Sequence, residues 1–247
     1  MAKRSMVLFR VNRHNEKTSF ESKEHVPRGC RERDTKPAFT KLKLTGKKIA
    51  GSYYEAVITH LEGVPFEGYW HGERIHEVVS VSVVAAYYNF TRKVFIVEAP
   101  YSLASAAVRR LNKDCGKDIR LTPVRIDFDA VLRAKKDMAV RGAWTFSPKE
   151  TIRSRAAFSG ADLKKQADFK HMCKSGELSN MSVSYPFNDS DLRVSLSRWC
   201  AVFFLEPVDL DLRLEFIEHL AEFEAKEKPS RQRKAKAAKS LNHEKED

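Results

Sequence analysis

Glu77-Val78-Val79-Ser80-Val81-Ser82-Val83-Val84-Ala85-Ala86-Tyr87-Tyr88 is rich in β-branched residues and partly alternates apolar with polar. That is the pattern of a half-buried strand. Asn89-Phe90-Thr91 can turn the chain, and Arg92-Lys93-Val94-Phe95-Ile96-Val97-Glu98-Ala99 reads as its antiparallel return. Pro100 stops that strand. Ser102 can cap a helix over 103–113 with Leu103, Ala107 and Leu111 on one face, and Gly116 would end it. The segment 77–113 therefore reads as a β-hairpin followed by a helix.

The same grammar continues downstream. Ile119–Phe128 is expected as a strand, Asp129–Asp137 as a short helix and Met138–Phe146 as another strand. Ser159-Gly160-Ala161-Asp162 resembles a capping signal for a helix that ends at Gly176. In Met181–Phe187 the large residues 181, 183, 185 and 187 share a face, and Asn188-Asp189-Ser190-Asp191 is a turn. Leu192–Leu205, including Trp199, reads as one long strand whose Val202–Leu205 end is buried on both faces. Residues 208–226 form an amphipathic helix striped by Leu212, Phe216, Leu220 and Phe223, with Pro229 beyond it. Strands in hairpins with interspersed helices predict an α+β fold on a mainly antiparallel sheet.

Toward the N-terminus the pattern weakens. Met6–Val11 is a short β-prone run, and Lys41-Leu42-Lys43-Leu44 suits a small edge strand. Residues 12–48 are otherwise polar, basic and broken by Pro27, Gly29 and Pro37. The expected organisation is a basic N-terminal strand and arm over 1–50, a single α+β body over 51–227, and a basic disordered tail over 228–247.

Charge follows this division. Residues 1–50 hold 14 Lys/Arg against 5 Asp/Glu, and residues 226–247 hold 8 against 4. The 175 residues between them hold 23 against 24, so a total of +12 is two basic ends on a near-neutral middle. Such a distribution points to a polyanion. The residues expected to meet phosphates are Arg28, Arg31, Arg33, Lys41, Lys43, Lys47 and Lys48 in the first segment, with Arg231, Arg233, Lys234 and Lys236 in the tail. Tyr53, Tyr54, Tyr69 and Trp70 are candidates to stack on unpaired bases.

Catalytic motifs are scarce. The sequence has no GxSxG, GxxxxGK[ST] or GxGxxG, and no cofactor motif. His71, Glu73, His76 and Glu77 lie within seven residues, but their spacing matches no closed zinc pattern, and a polar loop leading into a strand accounts for them. Asp127 and Asp129, with Glu98, are the carboxylates that a metal-dependent nuclease would use. A nuclease of the restriction-enzyme kind also needs Glu-x-Lys on a strand, and Glu224-Ala225-Lys226 falls on the last helix. Turn and helix-cap roles explain the paired aspartates. The four cysteines, Cys30, Cys115, Cys173 and Cys200, are widely spaced and read as reduced thiols. No apolar run approaches the ~20 residues of a membrane span. The apolar stretch at Met6–Phe9 is too short for a signal peptide, so a cytoplasmic location is expected.

The segments RKVFIVEAPYSLASAAVRRL, DIRLTPVRIDFDAVL and MSVSYPFNDSDLRVSLSRW resemble, in the order of their elements, phage-exclusion and anti-phage defence proteins of the RexA and KwaB kind. The resemblance implies a soluble, DNA-associated protein acting in phage defence, often with a second component. It carries over no catalytic residue. The leading expectation is a non-catalytic protein that binds DNA or RNA non-specifically through phosphates, with a second protein component or a second copy of itself. The alternatives are a metal-dependent nuclease or nucleotide-processing enzyme, and a basic-armed structural subunit of a larger nucleoprotein complex.

Overall fold

Met6-Val7-Leu8-Phe9 has no polar residue to turn toward water, so a strand made of it must be covered on both faces. The computed structural model, which describes residues 5–24, 38–49, 51–71, 73–146, 155–167, 169 and 177–225, places it so. Strand β1 (Ser5–His14) runs through the middle of one large antiparallel sheet. Met6 and Leu8 enter one hydrophobic cluster, while Val7, Phe9 and Val11 enter another on the opposite face.

The remaining strands are β2 (Ser19–Glu21), β3 (Thr40–Lys48), β4 (Tyr54–Trp70), β5 (Glu73–Asn89), β6 (Val94–Val97), β7 (Ile119–Pro123), β8 (Ala139–Phe146), β9 (Arg155–Ser159), β10 (Glu177–Phe187), β11 (Ser190–Ser197) and β12 (Ala201–Phe204). Their order across the sheet is β2-β3-β4-β5-β6-β1-β12-β11-β10-β8-β9. Residues 7–10 of β1 pair with β6 on one side. On the other side, β12 takes residues 5–7 and β7 takes residues 9–14, so these two short strands share one edge of β1.

Helix α1 (Tyr101–Cys115) covers one face through Ala104, Ala107, Val108 and Leu111. Helices α2 (Phe128–Ala134) and α3 (Leu210–Leu220) cover the other through Phe128, Val131, Leu214, Phe216, Ile217 and Leu220. The α+β architecture on a mainly antiparallel sheet is as expected, as is the β5–β6 hairpin.

Several expectations are corrected. The strands expected at Met6–Val11 and Lys41–Leu44 are present but longer, and residues 12–14, 19–21 and 45–48, expected in the arm, are strands of the sheet as well; on β3 apolar residues alternate with lysines, and Leu42 and Leu44 are buried. Residues 25–37 and the tail from 226 lie outside the described residues. Leu192–Leu205 is not one strand. It reverses at Arg198–Cys200, with Cys200 at φ 50°, and its halves pair as the β11–β12 hairpin. Trp199 sits in that turn, 43% exposed, stacked on Tyr101 and beneath Arg125. Burial on β12 alternates, Val202 and Phe204 inside and Phe203 half-buried.

Local signals also shift. The strand expected to reach Phe128 ends at Pro123, because Asp127 caps α2 through the amides of Asp129 and Ala130. Pro100, not Ser102, holds the N-cap position of α1. Gly116 is right-handed. Its need for glycine is steric, since a Cβ there would collide with the Asn112 carbonyl oxygen. Asp162 caps a single 3-10 turn at Leu163–Lys165, while 168 and 170–176 lie outside the described residues.

Candidate nucleic-acid interface

A β-bulge at Asn12 breaks the β1–β7 register, so Val11 pairs with Leu121 and Arg13 pairs directly with Arg120. Like charges in opposed positions on a sheet repel. Arg13 and Arg120 are both exposed, and neither forms an ion pair among the described residues. The Arg13 guanidinium reaches back to the carbonyl of Lys117 at 3.5 Å. Lys113 and Lys117 flank it at the end of α1, both exposed. Lys17 stands next to them, tied to Asp118 at 2.8 Å. From there Thr18 bonds Leu44 of β3 through the backbone, and β3 carries Lys47 and Lys48 onward, both exposed. The result is a basic rim: Arg120, Arg13, Lys117, Lys17, Lys47 and Lys48.

Aromatic rings run beside this rim. His14 stacks on Phe90 at 3.7 Å, Phe90 meets Tyr88 at 4.5 Å, and Tyr88 stacks on Tyr54 at 5.6 Å. Tyr54 is the open end of the series, 40% exposed, and is the cross-strand partner of Lys48. Burial lowers the pKa of His14 from its ordinary value, which keeps the ring neutral and suited to stacking.

The residues expected from sequence divide as follows. Lys47 and Lys48 join the rim. Lys41 and Lys43 are on β3 too, and Lys41 is paired with Glu21 at 3.1 Å. Arg28, Arg31, Arg33, Arg231, Arg233, Lys234 and Lys236 lie outside the described residues. Tyr53 is no stacking platform: it is buried and donates its hydroxyl to Glu218, which also holds Arg92. Tyr69 is 75% exposed near the tip of the β4–β5 hairpin, and Trp70 is the last residue of β4. Lys113, Lys117 and Arg120 were missed because the near-neutral sum of the middle segment hides a local excess of cations, and Arg13 because only the register of β1 against β7 sets it opposite Arg120.

The candidate catalytic groups do not converge. Among the described residues no three His, Cys, Asp or Glu side chains are placed to share a metal. The Asp127 carboxylate is the cap of α2. Glu98 is buried against Arg213 of α3 at 3.1 Å and accepts the Tyr87 hydroxyl at 2.9 Å. His71 occupies the β4–β5 turn at φ 49°, and Glu73, His76 and Glu77 belong to β5, so that segment is strand rather than a loop before one. Cys115 and Cys200 are buried free thiols, and burial raises both pKa values. Cys30 and Cys173 lie outside the described residues.

Sequence reasoning also missed a hydrogen-bonded series, Tyr185–His219–Glu222, beside a cleft of about 630 Å³ lined by Lys135, Phe187, Asp189 and Asp191. The Tyr185 hydroxyl lies 2.9 Å from Nε2 of His219, and Glu222 lies 3.2 Å from Nδ1. Burial raises the phenol's pKa and keeps it protonated. Both ring nitrogens of His219 thus have a partner within the protein, the Tyr185 hydroxyl at Nε2 and the Glu222 carboxylate at Nδ1. Tyr185→Phe should therefore cost about 1 kcal/mol of stability in urea denaturation, the worth of one hydrogen bond. A loss beyond about 3 kcal/mol would show the hydroxyl to be holding more than this one partner.

No helix among the described residues is long and apolar enough to cross a membrane. No protein-family model matches the chain, and no curated protein matches it.

Proposed function

We propose that this chain is a non-catalytic, cytoplasmic nucleic-acid-binding protein, a component of an anti-phage defence system, that holds DNA or RNA through phosphates along the basic rim. The observation that carries this reading is where the two basic segments of the sequence join the sheet. Lys23, just ahead of Arg28–Lys36, donates its amide to Asp114 at the end of α1, next to Lys113 and Lys117. Glu224, just ahead of the basic 226–247, is paired with Arg10, on the same strand as Arg13. The first concentration of charge thus leaves the described fold beside Lys113 and Lys117, and the second leaves it at Arg10, three residues before Arg13 on β1; Arg13 and Arg120 oppose each other with no carboxylate paired to either among the described residues. A polyanion offsets that repulsion and releases counterions as it binds. The exposed Tyr54 beside Lys48 supplies a stacking face for unpaired bases.

Binding of fluorescent single- and double-stranded DNA and RNA, measured against salt, tests this. In the variant Arg13→Ala/Lys117→Ala/Arg120→Ala the log–log salt slope should fall by roughly 0.7–0.9 for each phosphate that is no longer neutralised. Deletion of 228–247 should lower it further. Tyr54→Ala should weaken single-strand binding by about 1–3 kcal/mol and leave duplex binding nearly unchanged. Unchanged affinity and slope in the combined rim-and-tail variant would sink the proposal. Mg²⁺- or Mn²⁺-dependent cleavage that disappears in Asp127→Ala or Glu98→Ala would replace it with the nuclease reading.

A further inference from the structure

Three stretches of chain that pack side by side along α1 contain no Asp or Glu. Residues 101–113, 119–126 and 197–201 hold Arg109, Arg110, Lys113, Arg120, Arg125 and Arg198 and no carboxylate. The Asn112 side chain bonds both the amide and the carbonyl of Leu121, which lays α1 along β7. Beyond β7, the Val124 amide donates to the Leu8 carbonyl and the Ile126 amide to the Arg198 carbonyl. These bonds set Arg125 beside the β11–β12 turn, its guanidinium carbon 6.0 Å from the centre of the Trp199 ring.

The turn that carries Trp199 is pinned by its backbone. The Arg198 amide donates to Ser179 at 2.8 Å, the Cys200 amide to Ser197 at 3.0 Å, and the Leu8 amide to Cys200 at 3.2 Å. Cys200 is buried and left-handed at φ 50°, a conformation that a residue other than glycine keeps only where its surroundings enforce it. The indole is nonetheless 43% exposed, and it lies nearly parallel to the Tyr101 ring, 19° between planes and 6.2 Å between centres. A fixed aromatic ring within reach of water, with a second ring and a guanidinium beside it, offers its face to a flat ligand. The surrounding cations require that ligand to be an anion. A nucleobase on its sugar-phosphate chain is both, whereas an acidic peptide supplies the charge without the ring.

We infer that Trp199, with Tyr101 and Arg125, stacks an unpaired base of a nucleic-acid single strand whose phosphates continue along the α1–β7 seam over Arg109 and Lys113. Arg109 and Lys113 are both exposed and, four residues apart, share a face of α1. A rise of about 1.5 Å per residue puts Lys113 about 18 Å along the helix from Tyr101, next to Lys117 of the basic rim. Bases within a duplex are stacked on one another, so only an unpaired base can present its face to the indole. This rests on the nucleic-acid reading and adds to it a second stacking site, at the other end of α1 from Lys117.

The test uses the full chain and a short oligothymidylate. Trp70 and Trp144 are the other tryptophans, so in Trp70→Phe/Trp144→Phe the emission comes from Trp199. Titration of that variant with oligothymidylate should quench it. In the otherwise native chain, Trp199→Ala should weaken oligothymidylate binding about 5- to 150-fold and leave binding of a duplex of the same length unchanged. Trp199→Phe should keep most of the affinity, because the ring face remains. Arg109→Ala/Arg125→Ala should weaken single-strand binding and flatten its salt dependence. Oligothymidylate binding that neither quenches Trp199 nor changes in Trp199→Ala overturns this inference and leaves the rim standing. Equal losses for single strand and duplex in both Trp199 variants also overturn it, since they would mark a structural role. Equal quenching by polyglutamate would put an acidic protein in the site instead. Failure of the native chain to bind any DNA or RNA overturns the rim and the stacking site together.

Discussion

Phe204→Ala should lower the free energy of unfolding by about 3–5 kcal/mol, and Phe203→Ala, one residue away, by clearly less. Phe204 is 3% exposed and meets Phe216 of α3 edge to face at 6.1 Å. It lies in the cluster that joins α3 to β10, β11 and β12. Phe203 points to the other side of the same strand and is half-buried. Truncating Phe204 removes transfer free energy and leaves a void beneath α3, which is packed into the same cluster through Leu214, Phe216, Ile217 and Leu220. Against a typical domain stability of roughly 5–15 kcal/mol the change is large. Denaturant curves for the two variants measure the difference directly. Equal losses, or a loss under about 1 kcal/mol for Phe204→Ala, would place the core elsewhere.

The second large effect is expected where a charge pair is buried. Glu98 directly follows β6, its side chain 4% exposed, and its partner Arg213 on α3 is 20% exposed. Tyr87 donates to the same carboxylate, and burial together with the Glu98 charge raises its pKa and keeps it a donor. Glu98→Ala strands the Arg213 guanidinium, whose Nε already has no partner. Removing one member of a buried pair costs about 3–5 kcal/mol, and the partial exposure of Arg213 places this case at the lower end. Arg213→Met removes the cation instead. The double variant should lose less than the sum of the two by about 0.5–3 kcal/mol, the coupling of residues in contact. Additive losses in that cycle would show that the two side chains do not depend on each other.

The β5–β6 hairpin, α1 and α3 were legible because each is specified locally, by alternation, by a turn or by a stripe of apolar residues. Where local signals compete, the outcome depended on partners far along the chain. Arg198-Trp199-Cys200 reads as strand on propensity, yet it turns, because β12 must double back beside β11 to reach β1. Ile126 and Phe128 look like a continuing strand, yet Asp127 finds two amides to cap and starts α2.

The candidate interface divides in the same way. Lysine alternating with leucine over 41–44 leaves Lys43 exposed, and the strand end beyond it, Thr45–Lys48, carries no apolar residue and leaves Lys47 and Lys48 exposed as well. Arg13 and Arg120 are 107 residues apart, and a one-residue bulge at Asn12 makes them neighbours. No local pattern carries that information, because a register shift is decided by the partner strand.

From the sequence alone came the class of the fold, the helix and hairpin between 77 and 113, and the concentration of positive charge in two segments. These depend on the composition and spacing of residues close in the chain. Only the tertiary structure put Met6–Phe9 at the centre of the sheet, opposed Arg13 to Arg120, lined up His14, Phe90, Tyr88 and Tyr54, and left Val81 and Val83 bare on the β4–β5 ribbon. Burial and charge proximity are properties of packed neighbours. In this chain the deciding neighbours come from tens to about two hundred positions apart, as Ser5 pairing with Phe203 does.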